Sequence, residues 1–144
     1  MLIVVIDGQG GGIGRQIIEL LRSKIDKNIH TIAAVGTNTI ATGAMMKAGA
    51  DCGATGENCV RVMARKADII AGPIGILLAD SMMGEVTAVM ANSIAQSDAM
   101  KVVVPVKRCH VRVAGVQAMG MQDACADAVR QILSILDEKI DCMQ

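Results

Sequence analysis

Residues 2–6 (Leu2-Ile3-Val4-Val5-Ile6) form an unbroken apolar run closed by Asp7-Gly8. A run with no polar face predicts a strand covered on both sides, hence central and parallel. The spacing then changes. Ile13, Ile17, Ile18, Leu20, Leu21 and Ile25 recur at helical intervals, with Arg15, Gln16, Glu19, Arg22 and Lys24 between them. Residues 31–35 predict a second strand stopped by Gly36, and 39–48 a second helix ended by Gly49. The glycine-bearing stretch 49–56 reads as a loop. Thr55 is the expected N-cap of a helix over 57–66, with Glu57 in its first turn where the helix dipole favours negative charge. Residues 68–71 predict a third strand, ended by Gly72-Pro73. From 74 to 98 an apolar stretch is interrupted at Gly84, which predicts a turn or broken helix before a main helix over 85–95.

Residues 101–106 predict a fourth strand, with Pro105 limiting pairing near its end. Residues 110–114 (His-Val-Arg-Val-Ala) alternate, and only Lys107-Arg108-Cys109 separates the two. So short a connection cannot hold a parallel crossover, so an antiparallel hairpin is expected at one edge. An amphipathic helix over 121–140 closes the chain, with Ala124, Ala128, Val129, Ile132, Leu133, Ile135 and Leu136 apolar. Strand–helix alternation places the chain in the α/β class. The expectation is one three-layer Rossmann-like domain over 1–144, its sheet mostly parallel with an antiparallel edge hairpin. Ligands in such a fold bind beyond the carboxyl ends of the strands.

Composition narrows what such a fold does here. Among 144 residues, 14 Lys and Arg balance 14 Asp and Glu, which argues against a nucleic-acid partner and a polybasic membrane surface. The apolar runs are too short to span a bilayer, and Met1 leads into a strand rather than a signal peptide. A cytoplasmic protein is expected. Cys52, Cys59, Cys109, Cys125 and Cys142 are odd in number and irregularly spaced, which supports neither a disulfide framework nor a zinc site. His30 and His110 are isolated, so no metal is expected. Phe, Tyr and Trp are absent, leaving no tyrosine for acid catalysis and no ring to stack on a base; Ile, Leu, Val and 11 Met must fill the core. An apolar fraction of 52% on so small a domain predicts apolar surface for a partner subunit, hence a homo-oligomer.

The most informative stretch is Asp7-Gly8-Gln9-Gly10-Gly11-Gly12-Ile13-Gly14, between the first strand and the first helix. A turn with few side chains lets a diphosphate approach the backbone, and N–H groups without helical partners donate to its oxygens. Five glycines in seven positions (8–14) exceed what a bare turn needs, because each adds entropy to the unfolded chain. Arg15, a cation in the first helical turn, would be offset by a nearby anion, or points into solvent. Gly14 would allow the helix to pack closely on the strand. The spacing Gly8, Gly12, Gly14 resembles the cofactor loop of the short-chain dehydrogenase/reductase family, which implies NAD(P) as ligand. That family's Tyr-x-x-x-Lys pair cannot exist in a chain without tyrosine, so the resemblance carries no activity with it.

The end of the second strand, where a ribose-binding acid is expected, reads Val35-Gly36-Thr37-Asn38-Thr39 and holds no carboxylate. Thr37 and Asn38 offer polar groups to a ribose or a 2′-phosphate, or cap the next helix. Gly72, Pro73 and Ile74 follow the third strand and would let a ligand lie against backbone, or make a simple turn. Glu57 and Asn58, or Asp80, Ser81 and Glu85, are further polar groups for the rim, with helix capping as the alternative. Cys109 beside His110 points to opposite faces of a strand and makes a poor nucleophile–base pair. Taken together, Ile6-Asp7-Gly8-Gln9-Gly10-Gly11-Gly12-Ile13-Gly14, Gly36-Thr37-Asn38, Ala54-Thr55-Gly56-Glu57-Asn58, Gly72-Pro73-Ile74-Gly75 and Ser81-Met82-Met83-Gly84-Glu85 resemble a bacterial family of small Rossmann-like proteins, number 3842 among the domains of unknown function. That resemblance implies the fold and no reaction.

The expected function is nucleotide binding, of NAD(P) or another adenine nucleotide, through Asp7, Gly8, Gln9, Gly10, Gly11, Gly12, Ile13, Gly14, Arg15, Thr37, Asn38, Gly72, Pro73 and Ile74. Two alternatives stand beside it. One is an enzyme acting on a phosphorylated or nucleotide-linked small molecule, with Asp7, Glu57 or Glu85 as acid or base. The other is a non-enzymatic regulatory or scaffold subunit whose glycine loop only packs.

Overall fold

The unbroken apolar run that opens the chain becomes the middle of a sheet. The computed structural model describes residues 1–141; Cys142 lies outside them. Strands β1 (Leu2–Asp7), β2 (Thr31–Gly36), β3 (Cys52–Thr55), β4 (Ile69–Pro73) and β5 (Met100–Val104) lie in the order β3-β2-β1-β4-β5, and every pairing is parallel. Helices α1 (Gly12–Arg22), α2 (Thr39–Lys47), α3 (Glu57–Lys66), α4 (Ala88–Gln96) and α5 (Met121–Asp141) connect or follow them.

Because side chains alternate along a strand, the apolar run of β1 feeds two cores at once. Ile3 and Val5 pack with Ile17, Ile18 and Leu21 of α1, Met45 of α2, and Val129 and Ile132 of α5. Val4 and Ile6 face the other way, onto Val60 and Ala64 of α3 and Met90 and Ile94 of α4. These are the three layers of a Rossmann-like fold, and both cores are wholly aliphatic or sulfur-containing. The strand order reverses direction between β1 and β4, which opens a crevice at their carboxyl ends.

Two expectations are corrected. The antiparallel edge hairpin is absent. After β5 the chain makes a 3-10 turn at Lys107–Cys109, and His110 takes a left-handed conformation (φ 53°). The segment that follows pairs with no strand, and Pro105 withholds an N–H from any ladder there. Residues 110–114 therefore run as coil, with Val111 and Val113 exposed. Conversely, 52–55 is a strand rather than a loop. Its small residues lie along β2 in the register Ala33↔Cys52 to Gly36↔Thr55. A Cβ on Gly53 would come within 2.7 Å of the Met46 sulfur, so glycine lets α2 cover this edge.

Helix starts also shift. Gly56 (φ 105°), not Thr55, precedes α3, and the Thr55 hydroxyl instead lies 2.7 Å from that of Thr42. The main helix after the break begins at Ala88 behind the N-cap Thr87, so Glu85 lies before the helix and not in it. Residues 74–77 form a 3-10 turn.

Candidate functional site

The loop between β1 and α1 closes on a single carboxylate. Asp7 is 4% exposed; its Oδ1 accepts the Gly8 N–H at 2.7 Å and its Oδ2 the Gly14 N–H at 2.8 Å. Both ends of the loop are thus tied to one side chain. Burial raises the Asp7 pKa, and the nearby Glu85 charge adds to the rise, while the backbone N–H groups of Gly14, Gly8 and Ile13 pull it down. Within the loop the Gly11 N–H donates to the Gly8 carbonyl at 2.9 Å, and Gln9 and Gly11 are left-handed (φ 48° and 70°).

The glycines divide into two sets. A Cβ on Gly8 would lie 2.6 Å from the Met82 sulfur and 2.7 Å from both Glu85 and Thr37 oxygens. One on Gly11 would lie 2.8 Å from the Ala41 Cα, and one on Gly14 would run into Met45. Packing demands all three, the left-handed backbone at Gly11 adds to that demand, and at Gly14 the packing joins α1 to the sheet. Gly10 and Gly12 meet nothing within 4 Å and are exposed. The amides divide the same way. Those of Gly8, Gln9, Gly11 and Gly14 donate within the protein, whereas those of Gly10 and Gly12 have no acceptor among the described residues. With the Ile13 amide also turned to Asp7, the stretch of free amides that the sequence advertises therefore reduces to two, on exposed glycines just before and at the start of α1.

Glu85 completes the cluster, and its arrival is what sequence reasoning missed. The sequence pattern puts it on a helix, as an acid or base or a cap, and no helix forms there. Its Oε2 instead accepts the Gln9 N–H at 2.5 Å and the Thr37 hydroxyl at 3.1 Å; its Oε1 accepts the Asn38 side-chain amide at 3.1 Å. The carboxylate missing from the end of β2 is thus delivered from the segment between β4 and α4. The only sequence signal was the motif Ser81-Met82-Met83-Gly84-Glu85, which does not say where its carboxylate goes. Of the two roles expected of Asn38, the helix cap is seen: its Oδ1 accepts the Ala41 N–H at 2.9 Å at the start of α2, while its amide also donates to the Gln9 carbonyl at 3.0 Å.

Other expected site residues lie apart from this cluster. Arg15 pairs with Glu19 at 2.9 Å, one turn along α1, and lines a groove with Thr39, Ile40 and Lys47. Gly72 packs β4 against β1: a Cβ there would collide with the Ile6 carbonyl oxygen. Pro73 is buried, and Ile74 lines a cavity with Val102, Val113 and Ala128 on the α5 side. Glu57 accepts the Thr87 hydroxyl at 2.6 Å and so joins α3 to α4. Among the described residues, no three His, Cys, Asp or Glu side chains gather as metal ligands, and no helix is long and apolar enough to cross a membrane.

No curated protein matches the chain. Among solved structures, a dodecameric FMN-dependent Ubix-like decarboxylase from Escherichia coli O157:H7 is similar over 90% of this chain and 75% of its own, at 16% identity and a TM-score of 0.44. Likeness that weak does not bear on what this chain binds. The glycine loop, the strand order and the Ser81–Glu85 segment all fall within residues 2–137, which match the family described as Domain of unknown function (DUF3842), and the chain belongs to that family.

Proposed function

We propose that the chain binds a nucleotide, NAD(P) or another adenine nucleotide, with the diphosphate on the Gly10 and Gly12 amides and the ribose or its 2′-phosphate toward Thr37 and Asn38. The observation that carries this reading is the pair of unpartnered amides on two exposed glycines, Gly10 just before α1 and Gly12 at its first position, beside the reversal in strand order. Backbone N–H groups at a helix start favour phosphate through both their direction and the helix dipole. The nucleotide site would occupy a single domain, working in the cytoplasm as a homo-oligomer. Asp7 would hold the loop in shape rather than touch the ligand, because both its oxygens accept loop amides. Gly72 would serve by packing β4 against β1, whereas Pro73 and Ile74 would not touch the ligand.

Thermal shift and calorimetry against NAD, NADP, ADP and AMP test the proposal. A ligand at a hundred times its Kd stabilises by about 2.7 kcal/mol. The informative variant is Gly12→Val. Position 12 has room for a side chain in the free protein, so the variant is expected to fold and to lose binding. No stabilisation by any nucleotide, or equal stabilisation of Gly12→Val, would refute the assignment.

A further inference from the structure

The cradle already holds an anion, and the protein supplies it. Three donors from two separate loops, the Gln9 N–H, the Thr37 hydroxyl and the Asn38 amide, converge on the Glu85 carboxylate within 2.5–3.1 Å. Gly8 is a glycine partly to make room for it. The arrangement lacks what usually accompanies a half-buried carboxylate. None of the ion pairs among the described residues includes Glu85, and the charge it acts on is the like charge of Asp7. Donors that converge on a carboxylate without a cation suit any acceptor-only anion, and phosphate oxygens are the closest chemical match.

The segment that carries Glu85 is a backbone-strained turn bonded largely to itself. Asp80, Met82 and Met83 are left-handed (φ 62°, 55° and 57°), a conformation costly for non-glycine residues. The segment is closed mostly on itself, through Asp80 N–H to the Val86 carbonyl at 2.7 Å and Gly84 N–H to the Asp80 carbonyl at 3.2 Å. Its tip, Met83, is 96% exposed, so nothing outside presses it down.

We propose that the Gln9 N–H, the Thr37 hydroxyl and the Asn38 amide form a phosphate subsite beside the open Gly10 and Gly12 amides, which Glu85 fills as an internal stand-in and vacates when a phosphorylated ligand binds. This rests on the nucleotide reading for the neighbouring Gly10–Gly12 position. An incoming phosphate exchanges one anion for another on the same three donors and adds the two free amides. Leaving also separates Glu85 from Asp7. A tethered competitor acts at an effective concentration in the millimolar range, so the intact protein binds phosphate weakly and loss of the competitor tightens binding.

Calorimetry with inorganic pyrophosphate on the wild type, Glu85→Ala and Glu85→Gln tests this, with hydrogen exchange read over residues 80–86. The expected result is at least tenfold tighter binding by Glu85→Ala, a smaller gain in Glu85→Gln, and loss of the gain when Thr37→Val is added. Saturating pyrophosphate should speed amide exchange over 80–86 in the wild type. Binding by Glu85→Ala that is absent, equal to wild type or weaker overturns the subsite. So does a gain that survives Thr37→Val. The two readings fail differently. Tight pyrophosphate binding by Glu85→Ala with no nucleotide bound by any variant keeps the subsite and removes the nucleotide. NAD or NADP bound by the wild type, and bound less well along with pyrophosphate by Glu85→Ala, keeps the nucleotide and makes Glu85 a direct ligand contact.

Discussion

Asp7 sits at the junction of stability and site geometry. It is almost wholly buried, and burial raises its pKa above the ordinary 3.8. The folded protein therefore holds the Asp7 proton more tightly than the unfolded chain does. The resulting stability is fully present below 3.8 and is lost as pH rises through the raised folded value. Measured against Asp7→Asn, which cannot titrate, the wild type should gain in urea midpoint as pH falls through that window. A difference between the two that does not change with pH would contradict the assignment. At neutral pH, Asp7→Ala leaves the Gly8 and Gly14 amides without their acceptor and should cost about 1–3 kcal/mol. The glycine loop was legible as a loop, but which of its amides stay free was not. That depends on Asp7 and on Glu85, 76 residues away from Gln9 in sequence, and neither residue type announces a backbone partner.

Helix and strand boundaries followed local chemistry where the apolar pattern was strong and departed from it where small residues carried the structure. β1 and α1 were readable because six residues of unbroken apolar or closing character hand over to a helical period. β3 was not, because Cys52-Gly53-Ala54-Thr55 has no large side chain to show a face; its partner β2 and the covering α2 make it a strand. The alternation at 110–114 misled for the opposite reason. A strand pattern needs an edge to pair with, and after Pro105 this segment pairs with none. The start of α4 offers a test at this scale. The Thr87 hydroxyl accepts the Met90 N–H at 3.1 Å and donates to Glu57 at 2.6 Å, so one side chain caps α4 and ties it to α3. Thr87→Ala should lower stability by about 1 kcal/mol, seen as a drop in Tm, and Thr87→Ser should restore most of it. Equal melting of Thr87→Ala and wild type would show that the cap contributes nothing.

For the molecule as a whole, the α/β layering and the parallel pairing of the main strands followed from strand–helix alternation, whereas the strand order did not, because the edge strand β3 was not legible. What alternation could not convey is the stretch from Pro105 to Gly120, almost entirely exposed and bearing Val111, Val113, Val116 and Met119 at the surface. With Met121 at the head of α5, these side chains would carry the contact if the proposed homo-oligomer forms through this face. Light scattering should give a multiple of the 15.0 kDa chain mass, reduced in a Val113→Asp, Val116→Asp double variant. A wild type that scatters as a single chain would remove that assignment.

The aliphatic interior has an optical corollary. Both cores are built from Ile, Val, Leu, Ala, Met and Cys, and the chain contains no Phe, Tyr or Trp. The polypeptide is therefore nearly transparent in the near ultraviolet and has no intrinsic fluorescence. Any absorbance band or emission that stays with the pure protein through gel filtration belongs to a bound chromophore, so a purine, nicotinamide or isoalloxazine ring would identify itself by its spectrum without a label.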